Sequence, residues 1–214
     1  RPLPSGFITT DVGTTAANTL LKVHDESQVI EPAFLTLLDQ PAPEIAPTST
    51  TTGRRTALAK WITKEDNPLS TRVIVNRLWQ HHFGTGLVPT PNDFGNLGEK
   101  PSHPELLDWL TLRFLDGGWR MKSIHRLIMN RAAYRQTARS EPTRAQSTTD
   151  PDNRLLWRFS PKRLDAEQIR DSILAVSGEL GECPGGPSTE GASVDRSIYL
   201  KKRRNTRDDM IGGF

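Results

Sequence analysis

Apolar positions recur at helical spacing through the middle of the chain, between two flanks that lack this spacing over most of their length. In residues 54–63, Leu58 is followed by Trp61 and Ile62 at i+3 and i+4, which makes one apolar helical face. Asn67-Pro68 ends it, because the residue before a proline avoids the helical region. The next helix starts at Ser70 or Thr71, either of which can cap, and runs to about Phe83 before Gly84. Val73, Ile74, Val75, Leu78, Trp79 and Phe83 cover most of its circumference, so it is expected to pack deeply. Its few polar groups form a stripe of Arg72, Asn76 and Gln80 at i, i+4 and i+8, with Arg77 and His81 beside it. Each must find a partner, since a lone buried polar group is costly.

Ser102-His103-Pro104-Glu105 reads as a capping box with proline in the first turn. The helix it opens carries Leu106, Leu107, Trp109, Leu110, Phe114 and Leu115, and Gly117-Gly118 ends it. A short connection leads to a helix expected from Met121 to about Thr137, an antiparallel neighbour. Met121, Ile124, Leu127, Ile128 and Ala132 share its inner face, with Arg131 and Arg135 in the same arc. A last helix, from about Asp165 to Leu180, places Ala166, Ile169, Ile173, Val176 and Leu180 on one side, expected to face the core. Off that face, Glu167 and Asp171 stand at i, i+4; like charges at this spacing repel and ask for a cation between them. Arg163 and Arg170 are local candidates, and Arg135 or Arg77 remote ones.

The flanks differ. Residues 1–53 hold one strand-like run, 18–23, and a Pro/Thr/Ser-rich stretch from Pro41 to Gly53 that reads as a linker. Residues 196–207 are strand-like and carry six basic residues with no acid. The expected fold is mainly α: an irregular helical bundle with short peripheral β-strands. The expected organisation is a strand-containing extension and linker (1–53), a helical domain (54–200) and a basic C-terminal segment (201–214) expected to be cut short. A chain that starts at Arg1 reads as a fragment or a processed form.

Composition narrows the classes. A chain of 214 residues is long enough for a true core without staples. No run approaches the ~20 apolar residues of a spanning helix, so no membrane span is expected. The lone Cys183 forms no intrachain bridge, and neither a C-x-x-C pair nor a C-x-x-C-H haem attachment site occurs. Charge is divided: residues 1–50 carry a net of −4 and the remainder +7. Arginine outnumbers lysine 20 to 8, which suits either an internal Arg–carboxylate scaffold or a polyanion-binding surface. The interspersed acids favour the scaffold, built from Arg72, Arg77, Arg135, Arg163, Glu167, Arg170 and Asp171.

Catalytic signatures are sparse. Adjacent His81 and His82 point about 100° apart on a helix, and none of the five histidines shows H-E-x-x-H spacing, so no metal site is expected. The glycine-rich connection 84–98 lacks a phosphate-loop pattern. Candidates for hydrolytic chemistry are His103, Asp108, His125, Glu167 and Asp171. For His125 a satisfied structural role is the simpler reading, and for Glu167 with Asp171 an ion-pair network. Lys201, Lys202, Arg203 and Arg204 are candidates for polyanion binding, with an aggregation-resistant edge strand as the alternative. Nucleic acid is not the favoured partner. The five tryptophans fall mostly on apolar faces or element ends and read as core.

Several long runs carry a resemblance. Residues 67–84 (NPLSTRVIVNRLWQHHFG), Asp93-Phe94-Gly95, residues 102–110 (SHPELLDWL), 125–129 (HRLIM), Tyr134-Arg135-Gln136 and 163–171 (RLDAEQIRD) are similar to the planctomycete-type C-terminal domain of unknown function 1553. The likeness covers about residues 54–200. It implies a larger multidomain bacterial protein, often with a c-type cytochrome-like domain upstream, and an extracytoplasmic setting. Haem would then sit in a neighbouring domain, with no cofactor in this segment, and the partners would be neighbouring domains of the same polypeptide. The family has no established reaction. A scaffold or interaction domain is the leading expectation; the alternatives are a hydrolase using Asp108, Glu167 or Asp171 with His103 or His125, and polyanion or nucleic-acid binding.

Overall fold

Ser70–Phe83 (α2) is the helix around which the core is built. In the computed structural model, which describes residues 10–24, 26–35, 38–67, 69–139, 141–182 and 185–202, Val75 and Asn76 on this helix are fully sealed from solvent. The described residues form β1 (Thr19–Val23), β2 (Glu26–Ile30), α1 (Arg54–Ile62), α2, α3 (Pro104–Asp116), α4 (Met121–Met129), α5 (Arg144–Thr149) and α6 (Ala166–Ser177), with 3-10 turns at Ala132–Arg135 and Ser197–Tyr199. The fold is mainly helical, with a single two-stranded sheet among the described residues. The described residues divide into two compact units, one within 10–160 and the other within 161–202.

In the larger unit, α2, α3 and α4 pack pairwise around Val75, Leu78, Trp79, Phe83, Leu87, Val88, Leu107, Leu110, Phe114, Ile124 and Ile128. Apart from Leu87 and Val88, which lie in the loop after α2, these are periodic apolar positions, and burying each large side chain contributes roughly 1.5–3 kcal/mol. Two helix starts differ from the sequence expectation. Asn67, rather than Ser70 or Thr71, receives the first N–H groups: its Oδ1 accepts from Leu69 and Ser70 while its Nδ2 donates to the Trp61 carbonyl. At α3 no capping box forms. Ser102 Oγ donates to Leu87 O at 3.3 Å, its N–H to the same oxygen at 2.8 Å, and it also meets His103 Nδ1, so the serine fastens the loop instead of the helix.

The helix expected to run to Thr137 ends at Met129, and the chain tightens into the 3-10 turn 132–135. Capping boxes appear instead at Thr143 with Gln146 and at Asp165 with Gln168. The strand read from residues 18–23 is present as β1 and pairs antiparallel with β2, from Thr19 opposite Ile30 to Val23 opposite Glu26. The two-residue connection puts His24 at φ 50°, in the left-handed region that suits tight hairpins. The extension is fastened to the helices: Asp11 accepts from the Thr52 N–H (2.7 Å) and hydroxyl (2.8 Å) and pairs with Arg55 at 2.7 Å. Phe34 stacks on Trp61 with centroids 5.1 Å apart.

Tryptophan burial is uneven. Trp79 is buried, Trp61, Trp119 and Trp157 are half-buried, and Trp109 lies 38% exposed beneath the Arg113 guanidinium. In the smaller unit, α6 does not bury its apolar stripe as expected: Ala166, Ile169 and Leu180 are only half-buried. Arg170 is 3% exposed, whereas Ile173 and Val176 stand 50% and 90% exposed. The reason is hydrogen bonding: the segment 193–197 presents oxygens and an N–H that only the polar side of α6 can answer.

Candidate functional site

A dense polar constellation lies on α6 and residues 193–202 beside it, where the strand expected from sequence is instead a 3-10 turn at Ser197–Tyr199. Arg170 donates through Nη1 to the Asp195 carbonyl (2.8 Å) and Ser197 Oγ (3.3 Å), and through Nη2 to the Ser193 carbonyl. Its Nη1 also lies 3.5 Å from Asp171 Oδ1. That same carboxylate oxygen accepts from the Ser197 N–H at 2.8 Å and hydroxyl at 2.7 Å. Glu167, one turn earlier, takes the Lys202 ammonium. The two acids of α6 are therefore each answered by a different cation, Asp171 by Arg170 and Glu167 by Lys202.

The electrostatics follow from those contacts. The Lys202 hydrogen bond is the main cause holding the Glu167 carboxyl below its ordinary value. Burial pushes Asp171 up, but the Ser197 hydroxyl and N–H, with the Arg170 and Arg196 charges, outweigh it and leave that carboxyl lowered too. Both acids are ionised at neutral pH. A general acid needs a raised value and a general base one near the working pH, and both carboxyls are shifted downward instead. They line an open groove of about 500 Å³ with Asp165, Gln168, Ser197, Ile198, Leu200 and Lys202, which includes no histidine.

Asp108, His103, His125, Arg72, Arg77 and Arg135 lie within the larger unit. Asp108 pairs with Arg72, whose Nε and Nη2 both reach its Oδ1 at 2.7 Å, at the rim of an apolar-floored pocket of about 180 Å³. His103 meets Ser102 Oγ at 2.9 Å. His125 Nδ1 and His82 Nε2 share a hydrogen bond of 2.8 Å. Arg77 donates to Asn92 Oδ1 at 2.7 Å, and Arg135 is exposed, with no ion pair among the described residues. Arg163 is exposed. Lys201 lies 3.7 Å from Glu190, while Arg203, Arg204 and Cys183 fall outside the described residues. Among the described residues no group of three or more His, Cys, Asp or Glu side chains is placed to hold a metal ion, and no helix is long and apolar enough to cross a membrane.

Sequence reasoning did not single out Ser197 or Asp195, which complete the α6 constellation, or Glu99, which pairs with Arg154 at 3.2 Å. Ser197 had no sequence signal, since its role depends on a contact 26 residues from Asp171. His82 meets His125 of another helix, an approach that its spacing from His81 does not encode.

The sequence pattern of the family described as PSD1, protein of unknown function (DUF1553), matches residues 54–214, and the chain belongs to that family. No curated protein and no solved structure matches it.

Proposed function

We propose that this chain is a non-catalytic scaffold and interaction domain of a larger, exported multidomain protein, joined to neighbouring domains of the same polypeptide. The observation that supports this reading is the state of the α6 carboxylates: each is held by the chain's own donors and kept ionised, in a groove without a histidine. Such an arrangement orders a segment; it does not exchange protons with a reactant. The extracytoplasmic setting, the planctomycete origin, the association with a c-type cytochrome-like domain and the absence of a cofactor from this segment are parts of the proposal that rest on the resemblance alone.

The hydrolase reading keeps one specific support, because Glu167 and Asp171 do border open solvent. Two measurements separate the readings. Purified chain is assayed against chromogenic esters, glycosides and phosphomonoesters, and it is mixed with the separately expressed remainder of its polypeptide on a sizing column. Co-elution without turnover is expected; turnover abolished by Asp171→Asn in a folded variant overturns the scaffold. Polyanion binding predicts heparin retention that persists at about 200 mM salt.

A further inference from the structure

We propose that the His82–His125 hydrogen bond is an acid-sensitive joint between α2 and α4, closed near neutral pH and released once both imidazoles carry a proton. The ring nitrogens face one another at 2.8 Å, with centroids 5.0 Å apart and planes inclined by 62°. An N–H···N bond needs one nitrogen with a free lone pair. A neutral or singly protonated pair supplies it; a doubly protonated pair presents two N–H donors and cannot.

The surroundings bear on the second proton. The elements meeting at the pair, α2, α4 and residues 131–135, carry Arg72, Arg77, Lys122, Arg126, Arg131 and Arg135 with His81 and Tyr134, and no carboxylate. Arg158 adjoins Phe159, which packs on Phe83 and Tyr134. Helix α3, packed on both α2 and α4, brings Glu105, Asp108, Arg113 and Asp116, of which Asp108 is engaged by Arg72. On these elements basic side chains outnumber acidic ones. The same excess disfavours a divalent cation in the proton's place, and two imidazoles fall short of the three or four ligands of a zinc site.

Release would reach beyond the two rings. Tyr134 stands edge-on to His82 at 5.3 Å and to Phe83 at 5.9 Å, so movement of the His82 ring disturbs the 3-10 turn. Ile124 and Ile128 keep α4 in the core, which makes the response a loosening of its edge and not unfolding. The sign follows from proton counting. Unfolded imidazoles protonate near ~6.5, whereas the closed joint accepts at most one added proton. The unfolded chain then binds more protons in acid, and stability falls as pH drops from about 7 to about 5.

Melting temperatures of the full chain at about pH 7.5 and pH 5.0 test this, in wild type, His82→Gln and His125→Gln, with His103→Gln as a control imidazole. Glutamine keeps a hydrogen-bonding group without titrating. Wild type and the control are expected to lose about 2–4 °C more than either joint variant. Amide exchange in α4, corrected for intrinsic rates and set against α3, is expected to quicken at the lower pH in wild type and not in His125→Gln. Should the variants not fold, ring-nitrogen NMR of wild type decides: one of the two rings retaining its unprotonated nitrogen well into acid supports the joint. Equal pH dependence in all four proteins, or independent titration of both rings without faster α4 exchange, overturns it.

Discussion

The side-chain amide of Asn76 exchanges two hydrogen bonds with the backbone of Val88, donating Nδ2 to its carbonyl at 3.0 Å and accepting its N–H at 2.8 Å. Both residues are sealed inside the larger unit, at 0% and 3% exposure. A helix side chain thus takes the place of a strand partner for the loop that follows α2. The loop in turn leaves no room for a side chain at residue 86. A Cβ on Gly86 would stand 2.6 Å from the Val88 carbonyl oxygen and 2.7 Å from both terminal amide atoms of Asn76.

Removing that exchange leaves a buried N–H and C=O without partners, so Asn76→Ala is expected to destabilise by about 3 kcal/mol. Asn76→Asp keeps the acceptor, loses the donor and adds a buried charge, and is expected to lose more near neutral pH than at about pH 4. Gly86→Ala is expected to cost roughly 1–3 kcal/mol through overpacking. Urea unfolding of the three variants checks all of these.

In the smaller unit, Arg170 has the corresponding role, through the carbonyls of Ser193 and Asp195. Arg170→Met preserves bulk and strands those oxygens, for an expected loss of about 3 kcal/mol and faster amide exchange at Thr189 and Leu200. Arg135, by contrast, is exposed, so Arg135→Ala is expected to change stability by no more than about 0.5 kcal/mol. A loss of several kcal/mol there would show that it has a buried partner after all.

Thr71 is fully buried and its hydroxyl has no hydrogen-bond partner among the described residues. Replacing it with the near-isosteric valine removes an unanswered polar group. Thr71→Val is expected to stabilise by about 1 kcal/mol, read as a higher urea midpoint with an unchanged slope.

Glu167 and Asp171 are held below their ordinary values of 4.5 and 3.8. The folded chain therefore gives up these protons more readily than the unfolded chain does. Their contribution is complete above about pH 5 and is lost as pH falls through the folded values. Asp171→Asn is expected to melt lower than wild type near pH 6 but to lose less between about pH 4 and pH 2. That limb lies well below the imidazole range, so the carboxylate and histidine effects can be read from one melting series.

Local signals were legible where packing agreed with them. The apolar periodicity of residues 70–83 and 104–116 and the glycines 84 and 117 located α2 and α3, and burial followed. Ser102 misled because a nearer need, the Leu87 carbonyl, took its hydroxyl; a capping motif states what a residue can bond, not what it will meet. The boxes at Thr143 and Asp165 were present in sequence as T-x-x-Q and D-x-x-Q and went unread. Helix α6 shows the deeper limit. Its apolar stripe signalled an inward face, yet Arg170 and Asp171 are turned toward Ser193, Asp195 and Ser197, residues more than 20 positions away. The pairing of Glu167 with Lys202 and of His82 with His125 likewise depends on tertiary approach that periodicity does not encode.

The Asp11 clamp on Thr52 and Arg55 has a practical corollary. Residues 12–51 are pinned at both ends by one carboxylate, much as a handle is riveted to its vessel. A fluorophore or affinity peptide spliced into the exposed Thr48–Thr50 turn would ride outside the helical packing. A single protease nick there would leave two pieces that still travel together on a native gel and part only in denaturant.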